Sequence, residues 1–318
     1  MSQQAPGKSF RKGITIVELF KMFPDNKTAE KWFESRIWKD GRKCPICKNT
    51  NTKESTHKTM PYRCPKCRRF FSVKKGTIME ASNISYQNWA IATYLFAVSL
   101  KGVSSMRLHR DLGIAQSSAW FMVHRLRESW KQLAGIDSME GPVEIDEAYF
   151  GGKESNKHAD KKQPHSQGGA NKTSVAGIKD RATNKISATP VAETTQARLT
   201  EFIDSHTVKQ SKKYTDENRA YCGLDNHESV RHSVGEYVRG QAHVNGMESF
   251  WAMMRRGYDG TFHHVSEQHL HRYVNEFAGR HNIRPMDTGD MMGAVAENMS
   301  GLRLTYKDLI APGNLSGV

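Results

Sequence analysis

Four of the five cysteines fall in the pattern C-x2-C-x16-C-x2-C, at Cys44, Cys47, Cys64 and Cys67. No other feature limits the fold as tightly. Each C-x-x-C can turn two thiolates toward one tetrahedral ion, and the intervening loop lets the second pair close the shell. A redox dithiol needs only one such pair. The four positions point to one structural Zn²⁺ in a zinc ribbon over residues 39–76, with no coordination position left open for chemistry. His57, in the loop between the pairs, reads as a loop residue rather than a ligand, and Cys222 stands alone. From Lys39 to Lys75 twelve Lys or Arg face two acids, Asp40 and Glu54, and Tyr62, Phe70 and Phe71 are interleaved. A metal-stapled fold of that charge suits contact with phosphates.

The basic balance extends to the whole chain. Its 318 residues carry 47 Lys and Arg against 33 Asp and Glu, a formal charge of +14. Such an excess favours polyanions by releasing their counterions. No apolar run approaches the length of a membrane span. The opening residues, "MSQQAPGKSFRKG", lack the apolar stretch of a secretory signal. The expectation is a cytoplasmic protein of two or three domains, without a membrane partner.

Periodicity divides the rest. Residues 1–38 form an N-terminal helical segment with two short amphipathic helices, the second capped at Asp25-Asn26 after the break at Pro24. Residues 84–134 are helical. Within them "SSMRLHRDLG", a turn at Gly113 and "QSSAWFMVHRLRESWKQL" have the spacing of a helix-turn-helix. Trp120, Val123, Leu126 and Trp130 line one apolar stripe of its second helix, and Gln116, Ser117 and Ser118 stand where a recognition helix meets bases. Beyond a boundary at Gly135–Gly141, "PVEIDEAYF", "TSVAGIKD" and "KISATPVAE" read as strands. Residues 151–172 between the first two read as a long polar loop. "TQARLTEFIDSHT" reads as a helix, and "KKYTDENRAY" as a short strand giving way to a helix. "HVNGMESFWAMMRRG" is a further helix ending on Gly257, and "SEQHLHRYVNEFAGRHNIR" the next. From about 290 the pattern fades into a tail, 291–318. The fold class expected is multidomain α/β: a zinc ribbon and helical DNA-binding region, then a mixed sheet flanked by helices over 138–290.

Three acids lie far apart in sequence. In "VEIDEAYF" strand alternation puts Glu144 and Asp146 on one face and Ile145 and Glu147 on the other. Asp146 sits mid-strand between apolar neighbours, a costly place for an acid without a pair or a metal. Glu144, nearer the start, is expected to reach solvent. Asp216 follows a short strand, with Glu217 as its competitor; an N-cap role is compatible with it. Glu248 lies three residues after Asn245 on one helical side, with Arg255 two turns further along. Strand-Asp146, two strands, helix, strand-Asp216, helix-Glu248 is the order of a ribonuclease-H-like core. Such cores bring their acids to a point that holds two divalent ions, and carboxylate oxygens suit Mg²⁺ or Mn²⁺.

With these residues in view the chain resembles the ISXO-type insertion-sequence transposases, which join an N-terminal zinc ribbon to a DDE/N domain. The resemblance rests on the four cysteines, "VEIDEAYFGGKE", "GIKDRATNKISA", "YTDENRAY", "HVNGMESFWAMMRRG" and "GTFHHVSEQHLHRYVNEFAGRHNIR". It implies a ribonuclease-H-like catalytic domain that cuts the ends of its own element and joins them to target DNA. It implies Asp146 and Asp216 as metal ligands and Glu or Asn as the third. Both occur here; Glu248 is preferred because a carboxylate neutralises a cation better than an amide, and Asn245 is the alternative. Arg255 stands where such a family often has Lys, and can hold phosphate bidentately. His263 and His264 also fit the pattern. The partners implied are double-stranded DNA, as element ends and target, and further copies of the chain on that DNA. The other readings are a non-catalytic zinc-ribbon and helix-turn-helix DNA-binding protein, and a ribonuclease-H-like nuclease that cuts without joining.

Overall fold

A computed structural model describes residues 12–135, 138–152, 172–230 and 241–311. The polar loop expected over 151–172 falls almost wholly outside them. The chain divides into two units, Met1–Gln132 with Ile283–Ala311, and Leu133–Asn282.

In the first unit, α1 (Ile16–Met22) opens on a capping box. The Thr15 hydroxyl accepts the Glu18 N–H at 3.1 Å, and the Glu18 carboxylate accepts the Thr15 N–H at 2.8 Å. Asp25 caps α2 (Asn26–Ile37) by accepting the Thr28 N–H at 2.7 Å, as its place after Pro24 suggests. A small antiparallel sheet follows, β1 (Lys53–Glu54), β2 (Tyr62–Arg63) and β3 (Phe70–Phe71). Cys44, Cys64, Tyr62 and Phe71 form its core, and Trp38 packs against them. Next come α3 (Tyr86–Val98), α4 (Ser105–Leu112), α5 (Gln116–Ser129) and α6 (Lys131–Ala134). Eight residues of α3 are buried, which suits a helix apolar nearly all round. Gly113 ends α4 in the left-handed conformation, φ 62°. On α5 Val123 and Leu126 are buried, as is Trp130 at its end, and Trp120 is half-buried. Gln116, Ser117 and Ser118 are exposed at its N-terminus.

The second unit is built on a five-stranded sheet. β4 (Val143–Phe150), β5 (Thr173–Asp180) and β6 (Ile186–Val191) run antiparallel in sequence order. After α7 (Gln196–His206), β7 (Lys213–Thr215) joins the other edge of β4 in parallel, and β8 (His227–Ser229) extends it, also in parallel. The spatial order is β6-β5-β4-β7-β8. Two helices close the unit, α8 (Asn245–Gly257) and α9 (Glu267–Ile283).

Alternation along the strands gives the sheet two apolar faces. Val143, Ile145, Ala176 and Ile178 meet Leu199 and Ile203 of α7 on one. Ala148, Phe150 and Val175 meet Met247, Phe250, Trp251 and Met254 of α8 and Val274 and Phe277 of α9 on the other. Asn282 fastens α9 to the sheet edge. Its amide oxygen accepts the Ile186 N–H at 2.7 Å, and its amide nitrogen donates to the Ile186 carbonyl at 2.8 Å.

Two expectations from the sequence need correction. Gly257 does not cap α8: it keeps helical angles, and a π-helical turn, Tyr258–Phe262, carries the chain on to His263, whose φ is 60°. The last residues are not a tail as far as they are described. α10 (Thr288–Glu297) and α11 (Tyr306–Ile310) return to the first unit. Met291, Met292, Val295 and Ala296 of α10 are buried, and the helix packs on α2 and α3. The Ile78 N–H donates to the Met299 carbonyl at 3.1 Å, and the Gly301 N–H to Gly76 at 2.9 Å. Small residues and methionines blunt the helical period here, which is why the pattern reads weakly.

Gly177 of β5 lets α8 lie close against the sheet. A Cβ there would stand 2.4 Å from the Met247 methyl and 2.6 Å from the Trp251 ring. The methionine can swing aside, but the buried indole cannot. Gly177→Ala is therefore expected to lower the unfolding free energy by about 1–3 kcal/mol, read by urea denaturation. An unchanged midpoint would show that α8 sits less tightly than its contacts indicate.

Candidate active site and metal centre

The register of the sheet sets two of the acids. Glu144 of β4 lies beside Tyr214 of the parallel strand β7. Asp146 stands two residues further along β4, and Asp216 directly follows the end of β7. Adjacent strands run about 4.8 Å apart. Asp146 is also opposite Gly177, on the face that α8 covers. Glu248 lies exposed in the first turn of that helix.

The electrostatics record their convergence. Burial, and after it the charges of Glu147, Asp216 and Glu248, push the Asp146 carboxyl up to about 8, against one stabilising contact from the Glu147 N–H at 2.9 Å. Glu147 is also raised, first by burial and then by Asp216. Four acids thus share one field. Sequence alternation puts Glu147 on the opposite face from Asp146, and it stays there: Tyr221 and Asn218 donate to its two carboxylate oxygens. Tyr221 belongs to the core under α7. Asp216 accepts the Asn218 N–H at 3.0 Å, while Asn218 itself caps the short 3-10 turn Arg219–Tyr221. The capping role open to Asp216 therefore belongs to Asn218. Glu217 is exposed on the same turn.

Glu144 departs from expectation. It is 2% exposed rather than open to solvent. Its charge is held from two sides. Arg181, in the turn after β5, donates through Nε at 2.8 Å. The N–H groups of Gly246 and Met247, at the start of α8, donate at 2.6 and 3.1 Å. A carboxylate at a helix N-terminus satisfies orphan donors and meets the positive end of the helix dipole. Arg181 also donates to the carbonyls of Gln241 at 2.6 Å and His243 at 2.7 Å, and its guanidinium lies 4.3 Å from the Tyr214 ring centre. Only glycine fits at 246, since a Cβ would meet the Glu144 carboxylate at 2.6 Å. Asn245 is exposed at the first position of α8, and Arg255 is exposed in its last turn. The residues missed by sequence reasoning are Arg181 and Gly246, although both lie inside the stretches that carried the resemblance.

The four cysteines meet in the first unit. Their sulfurs all lie within 4.8 Å of one another, with Cys44–Cys67 at 3.6 Å and Cys47–Cys64 at 3.5 Å. A tetrahedral ion with Zn–S bonds of about 2.3 Å needs sulfurs about 3.8 Å apart, so the set fits. The two knuckles match. The Cys44 N–H donates to the Asn49 carbonyl at 2.8 Å, and the Cys64 N–H to the Arg69 carbonyl at 2.9 Å. Lys48 and Arg68, each directly after a C-x-x-C, have φ of 61° and 59°. The backbone N–H of Cys67, and then the Asn49 amide, favour the Cys64 thiolate. Among the described residues this is the only His, Cys, Asp or Glu group so closed; the acids are spread more widely.

Two outcomes follow. Removing the Glu144 carboxylate leaves the Arg181 charge without its counter-ion and its Nε–H and two helix N–H groups without an acceptor, so Glu144→Ala is expected to cost about 3–5 kcal/mol of stability, against less for Glu144→Gln, in urea unfolding. Asp146 binds its proton more tightly folded, near 8, than unfolded, near 3.9. In metal-free buffer its contribution to stability is therefore lost as pH rises from about 4 to about 8, at up to about 1.4 kcal/mol per pH unit. Asp146→Asn should flatten that slope; a slope identical in the variant assigns it to other groups.

Comparison with known proteins converges on the same region. The family model of the ISXO2-like transposase domain matches residues 138–282, nearly the whole second unit. A protein of Halobacterium salinarum, described as an uncharacterized protein in transposable element ISH50, is 28% identical over 284 residues, covering 83% of this chain and 93% of its own length. No helix among the described residues is long and apolar enough to cross a membrane. Residues 138–282 are thus similar to the ISXO2-like transposase domain, and most of the chain is similar to a protein of a transposable element.

Proposed function

We propose that this chain is a DDE-type DNA transposase that cuts the ends of its element and joins them to target DNA. The observation that supports the reading is the state of Asp146, whose carboxyl is raised first by burial and then by the charges of Glu147, Asp216 and Glu248. The sheet order β6-β5-β4-β7-β8, antiparallel in its first three strands and parallel beyond, supports a ribonuclease-H-like fold for this unit. Like-charged oxygen donors in a half-buried site suit Mg²⁺ or Mn²⁺. A ligand set for two ions is wider than for one, in keeping with the spread of these acids.

Two such ions, when bound, would supply activation of the attacking oxygen and stabilisation of the leaving one. In each step an oxygen nucleophile attacks a backbone phosphorus and the opposite P–O bond breaks, so the number of phosphodiester bonds is conserved when DNA is the acceptor. Asp146 and Asp216 would hold the ions from the sheet, and Glu248 from α8. Asn245, at the start of the same helix, is the alternative to Glu248. Arg255, two turns on, would grip a phosphate of the strand being cut. Glu147, fixed by Tyr221 and Asn218, adds negative charge that strengthens the pull on cations. The ribbon, with Zn²⁺ on Cys44, Cys47, Cys64 and Cys67, and the α4–α5 pair would hold double-stranded DNA outside the reacting site. Two element ends call for at least two copies of the chain.

In an assay of element-end DNA with Mn²⁺, Asp146→Asn and Asp216→Asn should each lower cleavage at least about a thousandfold while changing DNA affinity little. Glu248→Gln should do the same and Asn245→Ala should not. Loss with the Asn245 change alone reassigns the third ligand. Undiminished cutting by Asp146→Asn overturns the proposal.

A further inference from the structure

The first unit contains a cleft of about 950 Å³, formed by the ribbon, the start of α2 and the segment leading into α3. Its walls are unusual for a soluble surface. Ile46, Met60 and Phe70 are exposed by 49%, 42% and 39%, and all three line it. Large apolar side chains gathered in one open concavity mark a binding surface. The Phe70 ring is 5.3 Å from the His57 ring, and the Arg63 guanidinium lies 5.5 Å from the Phe70 ring centre.

The rim is cationic. Lys58, Arg68 and Arg69 border the cleft, and no carboxylate pairs with them among the described residues. Glu30 is the one acid in the lining. Two further lysines are already engaged. Lys74 donates to the Ser82 and Ile84 carbonyls at 2.9 and 2.6 Å, and Lys75 pairs with Glu80 at 2.6 Å.

Cations alone would suit the outside of a duplex, whose bases are stacked away from a protein side chain. That leaves the apolar walls without a role. A strand with unpaired bases satisfies both halves, because its phosphates meet the cations and its base faces meet aromatic and apolar side chains. The cleft can house a few linked nucleotides but not a double helix.

We propose that this cleft binds an unpaired stretch of DNA, with a base on Phe70, neighbouring bases against Met60 and Ile46, and phosphates on Lys58, Arg68 and Arg69. The assignment of DNA rather than another polynucleotide rests on the transposase reading. The stacking site itself does not.

The test uses the full-length zinc-loaded chain, a fluorescein-labelled oligothymidylate and a duplex of the same length, followed by anisotropy. Phe70→Ala should weaken oligothymidylate binding about fivefold or more, and duplex binding less than twofold, because one stacked base is lost. Phe70→Tyr should retain both. The double change Arg68→Ala with Arg69→Ala should make single-strand affinity fall less steeply with salt. Zinc content checks that the ribbon remains folded. Wild-type chain that does not bind the oligothymidylate, a Phe70→Ala chain that binds it as wild type does, or equal loss for strand and duplex overturns the proposal. Cleavage of duplex ends through Asp146 is measured alongside. Cleavage without Phe70-dependent strand binding sinks the cleft alone, and Phe70-dependent binding without cleavage supports the cleft while sinking the transposase reading.

Discussion

A buried negative charge must be answered locally or not ionise at all, and at Glu144 the answer draws four segments together. The carboxylate belongs to β4. Arg181, which neutralises it, belongs to the turn after β5 and rests on Tyr214 of β7. The donors that complete its shell are the first backbone N–H groups of α8. Such an ion pair adds little net stability compared with an apolar substitute, but it penalises every arrangement that leaves a partner exposed to nothing. Its effect is therefore on position. Asp146 is two residues from Glu144, Asp216 two from Tyr214, and Glu248 two from Gly246. The geometry of the acid cluster is inherited from a charge network that holds no member of the cluster.

Around that network the unit accepts a local conflict. Asp146 and Glu147 lie side by side where burial already disfavours ionisation, and the Asp146 carboxyl is pushed up to about 8. Tertiary packing keeps them there. Gly177 allows Met247 and Trp251 to sit directly on the sheet, and Phe250 and Met254 extend the same seam. On the opposite face Tyr221 and Asn218 restrain Glu147. A sheet packed on both sides is stiff enough to hold groups that repel one another, the condition under which a cation is attracted strongly.

Much of this was legible in the sequence. The cysteine spacing specifies its own geometry, and the knuckles are as expected from four ligands at fixed offsets. Alternation in "VEIDEAYF" separates Asp146 from Glu147 correctly, because a strand has a period of two whatever surrounds it. The charges of Asp216 and Glu248 are felt at Asp146, as the order of strands and helices along the chain leads one to expect. Burial of Glu144 was not legible, since its partners lie 37 residues away at Arg181 and 102 away at Gly246. Helix continuation past Gly257 was missed because glycine is a stop signal only where the left-handed conformation is used, and here it is not. α10 reads weakly for a related reason: small glycine and alanine side chains among the methionines give a faint period, and only the surface of α2 and α3 shows what they are for.

The return of α10 and α11 to the first unit has a consequence for how the chain is made. The ribbon and the helices up to Gln132 emerge from the ribosome first, yet part of their own core, Met291 through Ala296, is encoded after the whole second unit. At about 5–20 residues per second the early segment waits on the order of ten to forty seconds for its last helices. Throughout that interval the basic surface is present on an incompletely packed scaffold. Because the first unit completes last, a nascent chain becomes fully assembled only after the segment bearing the acids has been synthesised.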